Sequence, residues 1–102
     1  MDKITNQNLK IFVKRVCDYL PIHKAILFGS FARGTQHKDS DIDIAIIVDK
    51  IKGNYLEISS KLFDLVWDID TRIEPVLIEE SSDDSGFLEN ILKTGIIIYQ
   101  SK

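Results

Sequence analysis

The sequence predicts an α+β fold, a mixed β-sheet flanked by helices, and three observations carry that prediction. Apolar residues recur at helical spacing in three separate segments. Short apolar runs of strand length sit between and after those segments. The first two such runs are joined by a stretch too short for a parallel crossover, so they are expected to pair antiparallel. The 102 residues suffice for one core, so a single domain over residues 1–102 is expected.

Each element follows from its pattern. Leu9, Phe12, Val13, Val16, Cys17 and Leu20 form one helical stripe, with Thr5 or Asn6 as the expected cap and Pro21 as the stop. Ala25–Phe28 reads as a short strand that Gly29 ends. A polar loop spans 30–40, with one helical turn at Phe31–Arg33. Residues 41–48 are the second strand, and Lys52-Gly53-Asn54 is a turn. Tyr55, Ile58, Leu62, Phe63 and Val66 mark a second amphipathic helix. Arg72–Ile78 is β-like, and its Pro75 asks for an edge strand or a bulge. After a loop at 81–85, Phe87, Leu88, Ile91 and Leu92 give a third helix, with Lys93 in its last turn and Gly95 expected as its C′ residue. Ile96–Tyr99 closes the order α-β-β-α-β-α-β.

Composition narrows the function classes. The single cysteine, Cys17, excludes an internal disulfide framework and fits a reducing cytoplasm. No apolar run approaches the roughly 20 residues that cross a bilayer, and the polar N-terminus is no signal peptide, so no membrane role is expected. The net charge is −3 and the basic residues are scattered, so nucleic acid is not the expected main partner. The acidic balance leaves a nucleotide ligand open, because bound Mg²⁺ inverts the local sign of a carboxylate site.

Asp41 and Asp43 carry the first chemical signal. At i and i+2 of a strand they share a face, with Cα atoms about 6–7 Å apart. Two carboxylates there repel by roughly 0.6 kcal/mol in water, or about 2 kcal/mol at an effective dielectric near 20. Ile42, Ile44, Ile46 and Val48 already supply a complete buried face, so the core does not call for these acids. A divalent cation with oxygen ligands would favour them. Gly29-Ser30, at the end of the neighbouring strand, permits a tight turn whose N–H groups and hydroxyl can meet phosphate oxygens.

Gly29-Ser30-Phe31-Ala32-Arg33-Gly34, then Ser40-Asp41-Ile42-Asp43, resembles the signature of the polymerase-beta-like nucleotidyltransferases. Within that superfamily the pattern is similar to the minimal nucleotidyltransferase (MNT) proteins of bacteria and archaea. The resemblance implies that Gly29 and Ser30 hold the β- and γ-phosphates, that Asp41 and Asp43 bind Mg²⁺, and that Arg33 supports the loop or touches phosphate. Ser40 would orient the strand entry. The family places a third carboxylate on the strand after the next helix. Glu74 is the choice, as a catalytic and metal-binding residue, with Asp68 and Asp70 as rivals. The implied reaction is Mg²⁺-dependent transfer of a nucleoside monophosphate, AMP from ATP, to an acceptor hydroxyl. The implied acceptor is a tyrosine of a small helical HEPN-type partner, with this chain as the antitoxin. The alternative is a non-enzymatic module that neutralises its partner by complex formation. A small-molecule transferase, of aminoglycosides for example, is disfavoured because little of the chain is left for an acceptor-binding domain.

Other candidates read as structural. His23 and His37 lie in loops without a second ligand at metal spacing. Cys17, Phe63, Trp67 and Phe87 are expected in the core, Asp83 and Asp84 as loop and helix-terminal charge, and Lys38 as a solvated lysine.

Overall fold

Ile42, Ile44, Ile46 and Val48 are all buried on one face of their strand, as a period of two demands. The computed structural model describes residues 2–37, 40–82 and 85–101, so the expectations for Lys38, Asp83 and Asp84 fall outside the described residues. In chain order the elements are α1 (Lys3–Tyr19), β1 (Lys24–Phe28), α2 (Ser30–Arg33) and β2 (Ile42–Val48). There follow α3 (Tyr55–Asp64), β3 (Ile73–Glu79), a 3₁₀ turn (Glu80–Ser82), α4 (Phe87–Thr94) and β4 (Ile96–Gln100). The strands form one sheet in the order β3-β2-β1-β4. β1 is antiparallel to both β2 and β4, and β2 is parallel to β3. The mixed sheet and α+β class therefore match the sequence pattern. Pro75 lies on β3, an edge strand, where a missing N–H need not break the ladder.

The two faces of the sheet bury different helices. Ala25, Leu27, Ile44, Ile46, Ile73 and Leu77 pack with Leu9, Phe12, Val13 and Val16 of α1 and Leu62 of α3. On the other face Ile26, Ala45, Ile47 and Ile78 pack with Leu88 and Ile91 of α4. Alternation thus assigns Phe28, Asp43 and Glu74 to the α4 face.

Several local expectations are corrected. Asp2, not Thr5 or Asn6, caps α1: its Oδ1 accepts the Thr5 N–H at 2.7 Å. Thr5 is buried inside the helix, where its hydroxyl accepts a bond from Arg72 at 3.3 Å. Gly95 ends α4 without a left-handed conformation, at φ −87°. It is glycine for space, because a Cβ there would lie 2.6 Å from Ile26 Cγ2 and 2.8 Å from the Leu27 carbonyl. Phe63, Trp67 and Phe87 are exposed rather than core. Phe63 lies on the outer side of α3, beside the buried Leu62, and Trp67 follows in the turn after Asp64, where Val66 takes the buried position. Cys17 is partly buried against the α1 core, as expected.

Asp70 and Arg72 tie this core to the loop after β1. Arg72 donates to Asp70 through Nε at 3.0 Å and Nη2 at 2.8 Å, and its guanidinium lies 5.9 Å from the Phe31 ring. The side-chain bonds from Arg72 hold the Asp70 carboxyl below the usual carboxylate range. A depressed folded-state pKa contributes stability that is present above the unfolded value, near 3.9, and is lost as pH falls through the folded value. Asp70→Asn is therefore expected to cost about 1–2 kcal/mol at neutral pH. The gap from wild type should narrow as the solution is acidified below pH ~4. Urea unfolding of both proteins across that range checks it; a pH-independent gap would contradict the assignment.

Candidate functional site

The site is assembled from three strand ends and one turn. Register pairs Phe28 with Asp43 on β1–β2 and Asp43 with Glu74 on β2–β3, so the three form one row across the sheet. Asp41 immediately precedes β2 and is exposed. The entry to β2 is fixed from below, where the Ile42 N–H donates to the Arg72 carbonyl at 2.8 Å. Ser40 closes the approach: its N–H donates to the His37 carbonyl at 2.9 Å, and its Oγ accepts the His37 N–H at 3.0 Å.

Gly29 joins β1 to α2 at φ 72°, ψ −151°, a region essentially reserved for glycine. A Cβ at this position would collide with Asp43 Oδ2, so the missing side chain is what lets the turn lie against the carboxylate. The turn is held by Arg33 N–H to the Gly29 carbonyl at 3.2 Å and Thr35 N–H to the Ser30 carbonyl at 3.0 Å. Phe31 is buried beneath it, over Arg72. Gly29, Ser30, Arg33, Ser40, Asp41 and Asp43 line one half of a cleft of about 470 Å³.

Electrostatics mark the acids as a coupled group. Partial burial and the neighbouring Asp41 charge push the Asp43 carboxyl above its ordinary value, with Arg33 opposing. Glu74 is also raised, first by desolvation, then by the charges of Asp41 and Asp43 and a hydrogen bond with Asp41. The sequence rivals are engaged elsewhere. Asp68 pairs with Arg15 at 2.7 Å, and Asp70 pairs with Arg72. His23 lies 2.8 Å from Glu80, away from this site.

Among the described residues no three His, Cys, Asp or Glu side chains converge into a complete metal-ligand set. The donor chemistry nevertheless suits Mg²⁺, which takes one or two protein carboxylates and fills its shell with water and phosphate oxygens. The cleft of about 470 Å³ beside Asp41 and Asp43 leaves room for such oxygens. Sequence reasoning missed the opposite wall of the cleft, to which α4 contributes Phe87, Asn90 and Thr94. Their helical spacing was legible, but nothing local showed which strand ends the helix would face.

Residues 8–102 match the family described as polymerase beta, nucleotidyltransferase, and the chain belongs to that family. A Methanocaldococcus jannaschii protein, provisionally named a protein adenylyltransferase, is 33% identical over 81 residues, covering 76% of this chain and 79% of its own. A second from the same organism, with the same provisional name, is 30% identical over 95 residues, covering 86% and 92%. A crystal structure of a provisionally named Sulfolobus solfataricus nucleotidyltransferase superposes with a TM-score of 0.69 at 22% identity, over 93% of this chain and 79% of that one. A structure of tri-AMPylated Shewanella oneidensis HEPN toxin in complex with MNT antitoxin gives 0.62 at 20% identity, over 93% and 71%. The fold is that of the nucleotidyltransferases.

Proposed function

We propose that this chain transfers AMP from ATP, with Mg²⁺, to a tyrosine of a small helical HEPN-type partner, and so acts as its antitoxin. The observation that carries the reading is the row Asp43–Glu74, with Asp41 beside it, against a turn that only glycine permits. The relatives' provisional naming as protein adenylyltransferases and the toxin–antitoxin neighbours support the acceptor class.

In this reading Gly29 and Ser30 hold the β- and γ-phosphates through backbone N–H and hydroxyl, and Arg33 adds positive charge at the same end. Asp41 and Asp43 would hold Mg²⁺, with Glu74 beside them in the row, and the ion would supply charge neutralisation to the transferring and leaving oxygens. The acceptor oxygen attacks the α-phosphorus in line. The bond to the bridging α–β oxygen breaks, and pyrophosphate leaves. In this reading Glu74, exposed at the β3 edge and raised in pKa by desolvation and the neighbouring carboxylates, takes the hydroxyl proton. No protein nucleophile is needed.

A second reading, neutralisation by complex formation alone, is favoured by the outer surface around α3. Leu56 and Trp67 are 75% and 79% exposed, and Phe63 is also exposed. Large apolar groups so placed can anchor a protein interface. Growth of cells carrying the partner separates the two. Protection that Asp41→Asn abolishes supports transfer; undiminished protection supports binding.

A further inference from the structure

We infer that the α4 wall of the cleft is a nucleoside-recognition surface, with Asn90 reading the base and Phe87 supplying its apolar contact. This inference rests on the proposed reading of the cleft as a nucleotide site. The cleft is chemically divided. Its charged half is the glycine turn, Arg33 and the two aspartates. Its other half, Phe28, Phe87, Asn90, Ile91 and Thr94, contains no charge. One amide and one hydroxyl stand among aromatic and aliphatic surface. That is the complement of a planar ring with polar edges and a sugar, joined to a charged phosphate tail.

The four α4 residues fall at i, i+3, i+4 and i+7, so they present one face to the cleft. Ile91 is buried and anchors that face, whereas Phe87 is 40% exposed. The Phe87 ring meets Phe28 edge-to-face, with centroids 5.7 Å apart and planes at 87°. Phe28 directly precedes Gly29 and pairs with Asp43, so this aromatic surface adjoins the phosphate turn. The Asn90 backbone is already engaged. Its N–H donates to the Gly86 carbonyl at 3.0 Å, and its carbonyl accepts the Thr94 hydroxyl at 2.9 Å. What Asn90 offers the cleft is its side-chain amide, a donor and acceptor pair that matches a base edge. Glu74 lies at the β3 edge, beyond the residues that line the cleft. The acceptor can therefore approach from that edge while the nucleoside occupies the neutral half.

Titration calorimetry with the magnesium complexes of ATP, GTP, CTP and UTP, and of inorganic tripolyphosphate, tests the inference. Wild type is expected to bind one nucleotide at least about tenfold more tightly than tripolyphosphate. Asn90→Ala should flatten the preference among bases. Phe87→Leu, which keeps apolar packing on Phe28, should remove about tenfold of nucleotide affinity. Both should bind tripolyphosphate as wild type does, which also reports an intact site. The inference is overturned if wild type binds tripolyphosphate as tightly as any nucleotide, or if both variants keep wild-type affinity and preference. If wild type binds neither nucleotide nor tripolyphosphate, the nucleotide-site reading itself fails, and this inference falls with it.

Discussion

Asp43→Asn is expected to lower nucleotidyl transfer by about 10³-fold or more, the loss of several kcal/mol of charge stabilisation in the transition state. The amide keeps the shape of the carboxylate but not its charge. The strand should survive, because Ile42 and Ile44 on the opposite face are fully buried and hold β2 in register. The stability change should even be favourable. Burial and Asp41 raise the Asp43 pKa, so its ionised form is disfavoured in the fold at neutral pH. Replacing it with a neutral group relieves that cost. Thermal unfolding should give an unchanged or higher Tm alongside the lost activity. A variant that is inactive because it unfolds would contradict the assignment. Stability conceded to a functional site is a common trade.

Gly29→Val is the second large effect. The backbone at φ 72°, ψ −151° costs a residue with a Cβ about 1–3 kcal/mol. The added Cβ would also displace Asp43 Oδ2, so the substitution should shift the proposed metal ligand as well as obstruct the phosphates. Calorimetry with MgATP should show binding lost and unfolding should show lower stability. Gly34 makes a useful contrast, since it has a similar φ of 74° but open space around its missing Cβ. Gly34→Ala should therefore cost stability through strain alone, with nucleotide affinity retained. Normal MgATP binding by a folded Gly29→Val would mean that the phosphates lie elsewhere.

The parts of the fold that were legible in the sequence are those fixed by short-range pattern. Alternating isoleucines defined β2, and the short connection between Phe28 and Ile42 required an antiparallel pair. Gly29, Ser30, Asp41 and Asp43 could be read as one group because they sit at adjoining strand ends, only a loop apart. Glu74 was chosen because the resemblance calls for a third carboxylate on this strand, and the parallel register does bring it opposite Asp43. What was illegible depends on how elements meet. Trp67 was expected in the core as a large apolar residue, but it lies past the end of α3, where Val66 takes the buried position and the indole faces solvent. Phe87 looked like a core anchor because its helix is amphipathic. It sits at the margin of that helix's contact with the sheet, where it lines the cleft. Asp2 outcompeted Thr5 as the cap for a tertiary reason as well, since the Thr5 hydroxyl is used by Arg72, 67 residues away.

The most direct test of the proposed reaction is mass spectrometry of a HEPN-type partner co-expressed with this chain. The account predicts that wild type adds AMP to a tyrosine of the partner and that Asp43→Asn leaves the partner unmodified. A partner that carries no nucleotide with wild type, yet is neutralised equally by both, would contradict it.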